Sequence, residues 1–233
     1  MKFRTLVYFS ALVATILSGC SSDDKDLPET KQVVSFSTTI TSRAVNDAWT
    51  TGDKVGVYMI PEGGTLATAL ASNKKYTASA TGELTYDSED QAIYFPVDGS
   101  KVNFVTYYPY TATVSNNQIA VDVTNQTSQE AIDLLYATTT TGFNNASTKV
   151  NLNFTHQLTR MVLNITKASN VTLTNFSVKL VGTETKAAFD LATGTLTTTA
   201  GNVDSITYKL TDKGNNQYQA EAIVLPSSKL ADD

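Results

Sequence analysis

Few residues in this chain can do chemistry. Its 233 residues include one His, one Cys and one Trp. A lone Cys, Cys20, forms no internal disulfide and supplies no multi-cysteine zinc site. His156 is the single candidate for an imidazole proton shuttle. It closes the run Val150-Asn151-Leu152-Asn153-Phe154-Thr155-His156, where alternation puts Val150, Leu152, Phe154 and His156 on one apolar face. There it reads as a core histidine with one nitrogen hydrogen-bonded. The sequence has no Gly-x-Ser-x-Gly elbow, no phosphate-binding glycine loop and no cluster with metal-ligand spacing. Neither an enzyme nor a cofactor or metal is expected. With 22 acidic residues against 17 basic ones, the chain carries −5, and nucleic acid is not an expected partner because phosphate binding needs a basic surface.

Position gives Cys20 its chemistry. Met1-Lys2-Phe3-Arg4 supplies positive charge, and Leu6 to Leu17 is uncharged and mostly apolar. That stretch is too short for a spanning helix, which needs about 20 residues, and fits a secretory signal. Leu17-Ser18-Gly19-Cys20 resembles the lipobox of bacterial lipoproteins. The resemblance implies that residues 1–19 are a signal peptide cut before Cys20, whose thiol then carries diacylglycerol and whose new amine is acylated, for instance with palmitate. Ser21 rather than Asp follows, so the inner-membrane retention signal of enteric bacteria is absent. Ser21-Ser22-Asp23-Asp24-Lys25-Asp26 resembles the tract that sends some lipoproteins of Gram-negative anaerobes to the outer face of the outer membrane. A plain solvated tether over residues 20–32 fits it too. Removing residues 1–19 takes away Lys2 and Arg4 and no acid, which moves the charge from −5 to −7. The mature protein is expected to be lipid-held rather than membrane-spanning.

The elements that must position these residues are strands. Period-2 alternation marks Val34–Ser37, Lys54–Met59, Ile93–Phe95, Val102–Tyr107, Gln118–Val123 and Val150–His156. Further strands are predicted at Val171–Leu173, Phe176–Leu180, Thr195–Thr197, Ile206–Leu210 and Tyr218–Leu225. Glu62-Gly63-Gly64, Asp98-Gly99, Asn116-Asn117, Thr193-Gly194 and Lys213-Gly214-Asn215-Asn216 punctuate them as turns. Only Ser128–Leu135 has the makings of a short helix. The 37 Thr residues suit the wet faces of strands. The fold class is therefore all-β, a sandwich or barrel. A polar cluster at Thr166–Asn170 marks a boundary, giving β domains over residues 33–168 and 169–233, the second short or incomplete.

Four stretches carry a resemblance. Trp49-Thr50-Thr51-Gly52-Asp53-Lys54-Val55-Gly56-Val57-Tyr58 is similar to a signature near the start of fimbrillin-family proteins of gut and oral anaerobes. Phe104–Tyr110, Asp133-Leu134-Leu135-Tyr136-Ala137 and Leu152–Leu158 follow in the family's order. The resemblance covers the chain from Cys20 to Pro226. It implies two transthyretin-like β-sandwich domains in tandem and a pilus subunit, or an anchor or tip accessory, serving adhesion. It also implies export as a surface lipoprotein of the outer membrane and cleavage by an arginine-specific protease. Removal of the first strand then opens a groove that a strand of the next fimbrial subunit fills, so other subunits, self or accessory, are the implied partners.

The chain after Cys20 has two Arg residues. Arg160 lies in a strand-like run, whereas Arg43 lies in the small, polar stretch Thr41–Asp47. The family's cleavage site is carried to Arg43-Ala44. Asp204-Ser205-Ile206 resembles the O-glycosylation motif of exported proteins in these anaerobes, which marks Ser205. No donor strand is legible after Pro226; either it is missing from the sequence, or this member ends or anchors a fibre. The rival reading is a non-polymerising outer-membrane lipoprotein that binds a glycan or host protein, with Tyr107, Tyr108 and Tyr110 as candidate sugar-stacking rings.

Overall fold

Where the sequence alternates, strands pair. The computed structural model describes residues 31–41, 48–147 and 149–226. Its first eight strands are β1 (Phe36–Thr41), β2 (Lys54–Pro61), β3 (Ala71–Ala78), β4 (Glu83–Tyr86), β5 (Val102–Tyr108), β6 (Gln118–Asp122), β7 (Leu135–Thr138) and β8 (Val150–His156). Then come β9 (Thr159–Thr166), β10 (Lys179–Glu184), β11 (Lys186–Asp190), β12 (Thr195–Thr198), β13 (Val203–Thr207), β14 (Lys209–Gly214) and β15 (Gln217–Val224). Two 3-10 turns, Leu66–Thr68 and Glu89–Gln91, are the helical segments among the described residues. The all-β expectation holds. Asn116, Asn117, Asn215 and Asn216 all have positive φ, the backbone that tight hairpin turns demand and Asn tolerates.

Seven strands join edge to edge in the order β1-β4-β3-β2-β5-β7-β8 and close on themselves. Every pairing in the ring is antiparallel except β1 with β8, which is parallel. Phe36, Val57, Tyr76, Phe104, Leu152 and Phe154 fill the interior. β8 shows the pattern most simply: Val150, Leu152 and Phe154 point in, while Asn151, Asn153 and Thr155 face solvent.

β2, β5 and β7 are walls with a core on each side. Val55, Val57 and Met59 of β2 enter the ring, whereas Tyr58 joins a second cluster. In β5, Val102 and Phe104 face the ring, and Val105 and Tyr107 face the second cluster. Burial on both faces explains the nearly continuous apolar runs there. Gly56 pairs with Tyr107 across β2 and β5, and the ring of Tyr107 lies over it. A Cβ at Gly56 would fall 2.2 Å from Tyr107 Cε1, so no larger residue fits beside that ring.

The second cluster sits among three smaller sheets, β12-β11-β6, β14-β15-β9 and the pair β10-β13. Ile119, Phe189, Ile206, Tyr208, Ala220 and Val224 are among its buried members. It draws on strands from both sides of residue 168, since β6 pairs with β11 and β9 with β15. All described residues belong to one compact unit.

Several local expectations are corrected. Val171–Leu173 is not a strand, and of Phe176–Leu180 only Lys179 and Leu180 lie in one, β10. Ser128–Leu135 forms turns rather than a helix. Beside it, Gln126 Oε1 accepts from the Ile223 N–H (2.8 Å) and its Nε2 donates to Ile223 O (2.8 Å), while Gln129 Nε2 donates to Glu221 O (2.9 Å). The Gln126 amide bonds β15 at Ile223, past the Lys209–Glu221 pair where β14 begins, a tertiary demand that overrides local helix propensity. Ile206–Leu210 is two strands, because the chain changes sheets at the buried Tyr208, whose N–H donates to Val178 O. Ile93–Phe95 is not a strand of its own; Tyr94 makes a single bridge to Val33.

Candidate functional site

The element that closes the ring is β1. It pairs with β8 over six residues, Phe36–Val150 through Thr41–Thr155, and with β4 through Phe36–Leu84 and Ser37–Glu83. Along Phe36-Ser37-Thr38-Thr39-Ile40-Thr41 the inward residues are Phe36, Thr38 and Ile40, an alternation that fixes register. Phe36 meets Tyr76 and Phe104 edge-to-face, with ring centroids 5.3 and 5.1 Å apart. On the outward side Thr39 Oγ1 donates to Asn153 Oδ1 (2.7 Å), and Ser37 hydrogen-bonds Asn151.

Near the middle of β1, the N–H and the hydroxyl of Thr38 both donate to Gly82 O at 2.8 Å. Gly82 has φ +81°, and a Cβ there would lie 2.4 Å from Thr38 O, so β1 and the turn before β4 approach as only glycine permits. β4 went unread in the sequence, although Glu83-Leu84-Thr85-Tyr86 behind Gly82 alternates like a short strand. In the described residues β1 is the one strand joining β4 to β8, so without it the ring is open between them.

The downstream end of β1 borders a second group of side chains. Trp49 packs edge-on against Tyr108 (5.5 Å) and Phe154 (5.2 Å). The Tyr108 hydroxyl, held between Asp53 Oδ1 (3.3 Å) and Glu130 O (3.2 Å), is pushed to a higher pKa first by burial and then by the Asp53 charge. His156 Nδ1 lies 3.0 Å from Asp133 Oδ1, and its side chain is 5% exposed. It is the core histidine that its sequence position suggests. Ile40, Trp49, Asp53, Tyr108, Asp133 and His156 line a cavity of about 20 Å³, room for roughly one water. No three His, Cys, Asp or Glu side chains gather as metal ligands among the described residues.

The candidate sugar-stacking rings are otherwise engaged. Tyr107 is fully buried, and its hydroxyl donates to Asn73 Oδ1 (2.7 Å) or Thr111 O (2.9 Å). Tyr108 is held as above, and Tyr110 is half-buried with Lys75 Nζ 6.0 Å from its ring centre. Cys20, Arg43 and Ala44 lie outside the described residues; Thr41, the last residue of β1, is two positions before Arg43. Ser205 lies on β13, half-buried beside the buried Ile206.

A family model described as fimbrillin-like matches residues 42–233. A Bacteroides uniformis protein provisionally named fimbrium subunit Fim1C is 34% identical over 245 residues, which span 99% of this chain and 78% of that protein. A crystal structure from Bacteroides uniformis, provisionally described as a cell adhesion protein, is similar with a TM-score of 0.69 at 34% identity, covering 86% of this chain and 76% of the other. A Bacteroides ovatus structure with the same provisional description shares the fold, with a TM-score of 0.68 at 22% identity over 85% of this chain and 79% of that one. By the family match and the shared identity, the chain belongs to the fimbrillin-like family.

Proposed function

We propose that this chain is a fimbrial subunit or an anchor or tip accessory that assembles by exchanging β1 for a strand of another subunit, and so serves adhesion. One observation carries the reading. β1 alone joins β4 to β8 among the described residues, and it ends two positions before Arg43. A cut at Arg43-Ala44 severs the covalent link between β1 and the rest of the ring, after which main-chain pairing and side-chain burial are all that hold it. An extended strand from another subunit can then replace β1 in kind, its backbone bonding β4 and β8 and its alternate residues entering where Phe36, Thr38 and Ile40 sat.

Export as a lipoprotein is part of the proposal. Cys20 carries the acyl chains, the segment after it tethers the precursor to the outer face of the outer membrane, and Ser205 is the position for a glycan. Two β domains remain the proposed division, the second taking β6 and β9 from before residue 168 along with the strands after it. No catalysis enters this reading. The glycan-binding alternative loses its main support, because Tyr107 and Tyr108 serve the interior.

The test is made on the full chain in its own cells. Material sheared from the surface is expected to begin at Ala44, to have high native mass and to survive mild detergent. Arg43→Ala should leave a lipid-bound precursor starting at an acylated Cys20. Normal polymer from that variant would remove the cut from the mechanism.

A further inference from the structure

β1 and β4 run together only briefly. Their register ends at Phe36–Leu84. Upstream, the chain leaves β4 for the 93–95 segment: Val34 N–H donates to Ile93 O (2.8 Å), Phe95 N–H to Gln32 O (2.9 Å), and Val33 bridges Tyr94. β4 nevertheless continues through Thr85 and Tyr86, held from its other side by Thr77 and Tyr76 of β3. Thr85 and Tyr86 are thus left without a β1 partner in the register.

Between the departing chain and this free edge is an open cleft of about 580 Å³, lined by Val34, Ser35, Phe36, Tyr76, Leu84 and Tyr86. It is much roomier than the one-water cavity at the other end of β1. Its floor is the edge-to-face pair of Phe36 and Tyr76, and Tyr86, ringed against Tyr76, is 37% exposed. Charge at the rim is neutralised, with Lys149 Nζ 2.5 Å from Glu83 Oε1.

We propose that this cleft is the toehold at which a strand donated by another subunit first docks, before β1 has left. The inference rests on the strand-exchange reading and deepens it. The geometry selects the occupant. A free strand edge accepts extended backbone, the aromatic floor accepts a bulky apolar side chain, and the paired rim offers no counter-charge to an ionic one. The cleft is continuous with the seat of β1, so a strand seated there grows toward Thr41 by replacing one β1 pair at a time. Leaving all at once would require β1 to give up six pairs with β8 and the burial of Phe36 before anything replaced them. Cut and toehold lie at opposite ends of the same strand.

The experiment follows entry of a fluorescent peptide of residues 33–41, which carries the sequence the seat already fits, into full chain cut by an arginine-specific protease. Entry is expected to speed up in proportion to peptide concentration, because docking precedes release. Ser35→Trp fills the cleft from the segment that is shed, so the exchanged product has the same sequence as wild type. It should slow entry about tenfold or more, the factor carried by losing one main-chain bond with its side-chain contact. Thr39→Trp, equally shed but far from the cleft, should not. A rate independent of peptide concentration, or equal rates in wild type and Ser35→Trp, overturns the toehold while leaving strand exchange in place. Cut wild-type protein that never admits the peptide overturns the strand-exchange reading itself.

Discussion

Phe36→Ala separates what β1 does before exchange from what it does after. Phe36 is 2% exposed and makes two edge-to-face contacts inside the ring, with Tyr76 and Phe104. Truncating a buried Phe costs about 3–5 kcal/mol, the lost transfer energy plus the cavity left behind. In the uncut protein that loss falls wholly on folding stability. With a urea slope of about 1–3 kcal/mol per molar, the unfolding midpoint should drop by about 1 M or more. Trp49, the single Trp, is 7% exposed and packs on Phe154, so its fluorescence reports the transition. After cleavage and replacement of β1 by the wild-type peptide, the substituted residue is gone, and the midpoint should match wild type. Release of β1 from the cut variant should be faster by about the same free energy, on the order of a hundredfold or more. A deficit that persists in the exchanged protein would refute the claim that Phe36 stabilises only through a removable strand. A drop well under 1 kcal/mol in the uncut chain would refute the packing argument.

Three further outcomes are expected. Gly82→Ala puts a side chain at φ +81° and 2.4 Å from Thr38 O, so it should loosen β1 and lower stability by about 1–3 kcal/mol, with faster hydrogen exchange at the Thr38 amide than elsewhere in the ring. Gly56→Ala drives a Cβ into the buried Tyr107 ring, whose hydroxyl is tied to Asn73 and Thr111. Thermal unfolding should show a loss of about 1–3 kcal/mol or more, and unchanged stability would mean that ring is free to move. The third outcome concerns acid. The hydroxyl of Thr77 hydrogen-bonds Asp87 and, with Lys75 and Lys54, holds its pKa near 2 against an ordinary 3.8. The folded state therefore binds this proton less readily than the unfolded one. The contribution is complete above about pH 4 and disappears as pH falls toward 2. Because the pair is largely solvent-exposed the loss should be small, and Asp87→Asn should remove that part of the acid dependence.

Much of the ring was legible because its strands obey a simple rule. β8 alternates cleanly, and β2 and β5 are long apolar stretches bounded by turns. The unread strands break that rule for physical reasons. β3 contains Asn73 at φ +45° and two lysines, and only Tyr76 and Ala78 of it are buried. β4 has four residues with a single buried one, Leu84. β11 keeps its two buried residues, Ala187 and Phe189, behind a lysine, in a stretch that periodicity alone does not single out. The site was legible from one side. Alternation over Val34–Ser37, which overlaps β1 at Phe36 and Ser37, and the Arg43 stretch after it could be read in the sequence. That β1 lies parallel to β8, 114 residues away, and separates from β4 at Phe36 is a matter of long-range pairing that local pattern does not encode.

The four stretches that carry the family resemblance converge in space, and their meeting point bears on how the ring tolerates exchange. Gly56 lies under Tyr107; Trp49 packs against Tyr108 and Phe154; Asp53 receives the Tyr108 hydroxyl; and Asp133 holds His156. None of these residues belongs to β1, and all lie downstream of Arg43, so under the proposed exchange all would stay with the protein. They tie β2, β5 and β8 to the segments before β2 and β7. A protein whose first strand is replaceable needs its other strands fixed independently of that strand, otherwise the open ring would collapse and leave no seat to fill. On the proposed exchange, the buried His–Asp pair and the interlocked aromatic rings supply that independent fixing. The same division explains why β1 itself carries plain residues, Phe-Ser-Thr-Thr-Ile-Thr. Its side chains need only the alternation that another strand can supply.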